Sequence, residues 1–104
     1  MEGKLARAKG RHLGLDAYLK TLLSELNEYV SSECGDCEQS KLLGLRNNVA
    51  SIIEQLATVH SEILSLIDPK DIEPKIIRHM KVLELSHQVL AKADLKLEEI
   101  KQGQ

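Results

Sequence analysis

Between Lys41 and Ile67 the apolar residues keep a helical beat without a miss. Leu42, Leu45, Val49, Ile52, Leu56, Val59, Ile63 and Leu66 fall at alternating steps of three and four. That spacing makes one seam of a long α-helix. A second row runs beside it at the same rhythm: Leu43, Arg46, Ala50, Ile53, Ala57, His60, Leu64 and Ile67. The other positions, from Gly44 and Asn47 to Glu62 and Ser65, carry no apolar side chain. At about 100° per residue the two rows cover an arc of roughly 160°, wider than a two-stranded coiled coil needs. A helix with that pattern requires neighbours on two sides, and the rest of the chain has to supply them or leave them to another chain.

The flanking segments predict two such neighbours. Leu15, Leu19, Leu22, Leu26 and Tyr29 form the seam of a first helix over about 15–32, widened by Tyr18, Leu23 and Val30, with Asp16 placed to cap it. The rhythm is lost through Ser31–Cys37, where Gly35-Asp36 reads as a tight turn. A second break is Asp68-Pro69 to Pro74; Pro74 suits the first turn of a third helix over about 74–101. In that helix Ile76, Leu83, Leu90 and Leu97 recur every seventh residue. His79, Ser86 and Ala93 interrupt the seam, Met80, His87 and Asp94 lie alongside, and Val82, Leu85, Val89 and Ile100 add a second row. Short connections between long helices place them antiparallel. The expected fold is all-α, an antiparallel up-down-up three-helix bundle or helical hairpin with coiled-coil-like seams. Its structural seam is Leu45, Val49, Ile52, Leu56, Val59 and Ile63 of the second helix, 38–67, with Leu83, Leu90 and Leu97 of the third.

Residues 1–14 are a basic arm, with Lys4, Arg7, Lys9 and Arg11 against Glu2. Gly3, Gly10 and Gly14 each cost about 1 kcal/mol relative to Ala in a helix. Yet Leu5, Ala8 and His12 keep the beat of the Leu15–Tyr29 seam, so the arm is either a leader or an extension of the first helix once packed. Without it, the end of the second helix near Val59–Ile67 lacks one neighbour. The single domain is then 15–101, with 102–104 a tail.

Composition narrows the function classes. Ala, Glu, Lys, Leu and Arg make up about half the chain, as in long helices and coiled coils. With no Phe or Trp the core is aliphatic, so a few polar contacts must set its register. A net charge of −2 predicts neither nucleic-acid nor membrane binding. No apolar run approaches the roughly 20 residues of a membrane span, and the N-terminus lacks a secretory core. Two cysteines are too few for a disulfide framework, so the expected compartment is cytoplasmic, or nuclear.

Few residues suggest chemistry. Cys34-Gly35-Asp36-Cys37 has redox-type spacing without the βαβ context that chemistry uses, and it is half a zinc site with no second Cys/His pair downstream. Free thiols are the expectation. Ser86, His79 and Asp94 lie on one helix and do not make a nucleophilic triad. There is no Gly-rich phosphate loop, so no catalytic residue, cofactor, metal or small-molecule substrate is predicted, and the chain is expected not to be an enzyme. The histidines carry a conditional argument. If the second turn folds about 68–71, His60 lies opposite His79. If the arm is helical and the first turn folds about 34–37, His12 reaches the same level. Three imidazoles in one layer suit a metal or a pH-sensitive seam, against the plainer expectation of ordinary partly exposed histidines.

One surface departs from a usual solvated helix. Asn47, Asn48, Ser51, Gln55, Thr58, Ser61 and Ser65 leave only Glu54 and Glu62 charged on the outside of the second helix. Interface cores are depleted in charge, so this face is the candidate interface, with a Ser/Asn-rich solvent face as the alternative.

Two long seams separated by an Asp68-Pro69 break are similar in kind to small helical subunits of eukaryotic trafficking and cytoskeletal assemblies, such as lysosome-positioning complexes and the dynactin shoulder. The resemblance is one of layout, and it implies a subunit role. The expected function is a non-catalytic structural or adaptor module in a larger assembly. Its partner is a protein helix or a second copy, and His79, Ser86 and Asp94 would restrict register. The alternative is a nucleic-acid or anionic membrane-surface binder using the basic arm.

Overall fold

The computed structural model describes residues 2–31 and 39–102. They form three helices, α1 (Glu2–Ser31), α2 (Gln39–Leu64) and α3 (Pro69–Gln102), each packed against the other two. No strand occurs among the described residues. The molecule is a rod of 55 × 21 × 17 Å, the length set by α3, whose 34 residues at 1.5 Å each span about 51 Å. The Cys34/Cys37 pair lies outside the described residues.

The first seam of α2 is the centre of the core. Leu42, Val49, Ile52, Leu56, Val59 and Ile63 are buried, and Leu45 is half-buried. Against them α1 places Leu19, Leu22, Leu23 and Leu26, and α3 places Val89 and Ala93. Each fully buried Leu contributes about 1.5–3 kcal/mol over leaving it in water. The second row of α2 is covered unevenly: His60 is buried, Ile53 half-buried, Leu43 and Ala57 exposed.

Three boundaries differ from expectation, each for a packing reason. α1 begins at Glu2, so the arm is part of the helix. Ala8 seals against Val59 and Ile63, with Leu5, Leu15 and Ile67 around them, which gives the far end of α2 its missing neighbour. That burial outweighs the cost of Gly3, Gly10 and Gly14, all on the exposed side. Asp16 is therefore inside α1, not at its cap, and pairs with Lys20 one turn on at 3.2 Å. At the other break, α2 ends at Leu64 and its last turn tightens, with the amides of Leu66 and Ile67 both donating to the carbonyl of Ile63. α3 starts at Pro69, not Pro74. Pro69 takes the first helical position and Asp68 precedes it, its carbonyl accepting from the Asp71 amide at 2.9 Å. Pro74 then removes one bond to the carbonyl of Lys70, which is exposed and open to water.

α3 is the least committed helix. Its buried residues are Ser86, Val89 and Ala93, two of them small, so its backbone sits close to the core. Leu83, Leu90 and Leu97 are half-buried, while Ile76 and Leu85, both expected inside, are exposed. Ser86 is fully buried but its hydroxyl donates to the Val82 carbonyl of its own helix at 2.7 Å. It permits close approach and makes no polar contact across the bundle. Register between α2 and α3 is marked by Arg46, whose Nε donates to Asp94 Oδ1 at 2.8 Å.

Candidate functional site

The α1–α2 hairpin is antiparallel in a register where Arg11 faces Glu62 at 3.7 Å and the Lys41 ammonium lies 5.3 Å from the Tyr29 ring centroid. The α2–α3 reversal sets Arg46 against Asp94. Both registers bring His12, His60 and His79 to one level, one from each helix. The His60 and His79 rings stack with centroids 4.0 Å apart and planes 9° from parallel. His12 is tilted 41° to His60 at 6.5 Å. One ring nitrogen from each residue lies within 4.8 Å of the other two.

Burial governs the electrostatics of this layer. His60 is 7% exposed. Loss of solvation holds its pKa down to about 4, with His79, His12 and Lys75 adding to the effect by charge repulsion. Desolvation also lowers His12, as do Lys75 and, more weakly, His79, while Asp16 pulls the other way. Burial lowers His79. All three rings are therefore neutral at pH 7. The Nδ1 atom of His60 is sealed from water and has no hydrogen-bond partner. A buried polar atom left so costs about 1–3 kcal/mol, which makes this the one clear polar defect among the described side chains. Beside the layer, His12 and His79 line a groove of about 380 Å³ between α1 and α3, floored by Leu56 and rimmed by Asp16, Lys20, Lys75, Arg78 and Lys81.

A second feature lies on the outside of α3. Ile76, Ile77 and Met80 share one exposed arc near its N-terminal end, Ile77 48% and Met80 57% exposed. Leu95, on the same side toward the C-terminus, is separated from them by the exposed polar residues Glu84, His87 and Gln88. The seventh-residue repeat puts Ile76 inside and gives Ile77 and Leu95 no role; the signal for them is an apolar row too wide for one seam.

The remaining candidates from the sequence are spread over the rod. Asn47, Asn48, Ser51, Gln55, Thr58, Ser61 and Ser65 are all exposed on α2, Gln55 and Thr58 at the edge of a shallow groove that Arg11, Gly14 and Leu15 of α1 also line. Several are satisfied locally: Gln55 bonds Ser51, Thr58 bonds the Glu54 carbonyl, and Ser65 the Glu62 carbonyl. His87 is exposed, away from the three-histidine layer. His79, Ser86 and Asp94 do not converge, since His79 turns to His60, Ser86 to its own backbone and Asp94 to Arg46. No helix among the described residues is long and apolar enough to cross a membrane. In comparisons with known proteins, no family model, curated protein or solved structure matches the chain.

Proposed function

We propose that the chain is a non-catalytic structural or adaptor module that joins other proteins by helix packing, as a subunit or domain of a larger assembly. The observation that carries this reading is the outer face of α3. After the three helices have packed, Ile76, Ile77 and Met80 still present a contiguous apolar arc to water. Covering the exposed half of such side chains is worth about 1 kcal/mol each, about 3 kcal/mol in sum, so an amphipathic helix docked there must gain the rest of its affinity from contacts around this arc. The charge-poor face of α2 is a second surface on the same rod, lower in apolar content and already satisfied in part by its own backbone.

The alternative, a nucleic-acid or anionic-membrane binder working through residues 1–14, has less behind it. That segment turns Ala8 and His12 inward, and Arg11 is drawn to Glu62. No aromatic side chain interleaves its cations for stacking on bases.

Native purification of the full chain from its source cell, with light scattering of the eluted species, tests the reading. Bound protein should be recovered with the natural chain. Recovery should be lost with Ile77→Glu combined with Met80→Glu, with helicity and melting temperature unchanged. Loss instead with Ser51→Lys and Thr58→Lys would move the interface to α2. A bare monomer from gentle lysis would end the adaptor reading.

A further inference from the structure

We propose that His12, His60 and His79 form a zinc-class metal site that clasps the three helices in one register. No local motif marks this set, because no two of these residues are near in sequence; the register set by the two reversals, which the turn positions already suggest, assembles them. Three observations carry the assignment. One nitrogen from each ring lies within 4.8 Å of the others. Tetrahedral zinc with Zn–N of about 2.0–2.1 Å needs nitrogens about 3.4 Å apart, so the widest pair closes by up to about 1.4 Å through side-chain rotation. His60 is deeply buried and its Nδ1 has no partner, an unmet polar demand on the innermost ring of the layer that ligation through that atom would satisfy. The groove lined by His12 and His79 provides an entry path and room for a fourth ligand from solvent, so the site has the three-ligand, one-open form.

Neutral imidazole is the ligand form, and imidazole donors suit zinc, copper or nickel over calcium or magnesium. The rings now stack face to face, which runs the in-plane lone pairs of His60 and His79 side by side. Chelation requires one ring to tilt out of that stack, so binding exchanges a stacked pair for convergent ligands. Of the charges facing the layer, Asp16 favours a dication and Lys75 opposes it. On α3 the site adjoins the outer face, since His79 precedes Met80, but His79 turns inward to His60 and the site does not depend on the association proposed for that face.

The test uses the full chain with Cys34→Ser and Cys37→Ser, so that thiols do not contribute. Zinc chloride is titrated calorimetrically, and cobalt(II) is followed by its visible spectrum. The expected result is one ion per chain, a higher melting temperature with zinc, and altered imidazole NMR signals for His12, His60 and His79 but not His87. Because His60 is buried and its replacement endangers the fold, His12→Gln and His79→Gln carry the argument. Each should weaken zinc by at least about 10–100-fold, the loss that removing even an outer partner of a metal ligand produces. Lys75→Met should tighten it. Folded Cys-free chain that retains no zinc overturns the proposal. So does zinc binding that is indifferent to both His12→Gln and His79→Gln.

Discussion

Acidification should loosen this bundle through one residue. His60 titrates near 6.5 when unfolded and at about 4 when folded, because burial disfavours its charged form. Between those values the unfolded chain binds the extra proton and the native chain does not, so stability rises with pH. The contribution is fully present above about pH 6.5 and is lost as pH falls toward 4. At pH 5.5 the loss is about 1.4 kcal/mol, growing to about 3 kcal/mol below pH 4, at 1.36 kcal/mol per pH unit. On His60 itself His12 of α1, and His79 and Lys75 of α3, all repel a proton, while Asp16 of α1 pulls the other way on His12. His12 and His79 are themselves lowered and add to the slope. For a domain of this size about 1.4 kcal/mol corresponds to roughly 5–10 °C in melting temperature. The assay is thermal melting followed by circular dichroism at pH 7.5 and 5.5, in chelator so that no metal contributes. His60→Leu is the comparison: leucine fills a similar volume, has no proton to take and no orphaned nitrogen. It should melt at or above the natural chain at pH 7.5 and lose distinctly less on going to 5.5. A natural chain with equal melting temperatures at the two pH values refutes the reasoning. A His60→Leu chain with the full pH drop does so as well, by placing the titration elsewhere.

Two further expectations concern the scaffold. Gly10→Ala and Gly14→Ala should each raise stability by about 0.5–1 kcal/mol, because both sit in α1 and a Cβ there meets nothing within 4 Å; a lower urea midpoint for either variant would mean that α1 is not helical there in solution. Leu56→Ala should cost about 2–5 kcal/mol, since Leu56 is fully buried at the centre of the core; a cost below about 1 kcal/mol, read from urea unfolding with the slope unchanged, would mean that the three helices do not close around α2.

The beat of Leu42 to Ile63 was enough to read α2 and its buried side, because a 3.6-residue period has only one way to place these apolar residues on a face. The helical class, three long segments and their antiparallel order came from that beat and two breaks at Gly35-Asp36 and Asp68-Pro69. Even the level of the three histidines was within reach, since short connections tie the height of one helix to the next. Local preference failed where long-range burial outweighed it. Three glycines argue against a helix over residues 1–14, while the beat of Leu5, Ala8 and His12 and the uncovered end of α2 argue for one; chain order left both open, and the packing of Ala8 on Val59 and Ile63 decided it. Pro74 looks like a start signal; with Pro69 already at the helix entrance it became a one-bond loss on a wet side. Ser86 and Ile76 show the same limit from the other side. Whether a seam residue reaches across, turns to its own backbone or faces water depends on the rotation of α3 about its axis. Packing fixes that angle, through how closely Ser86 and Ala93 let α3 approach, and periodicity leaves it undetermined by about the width of one row.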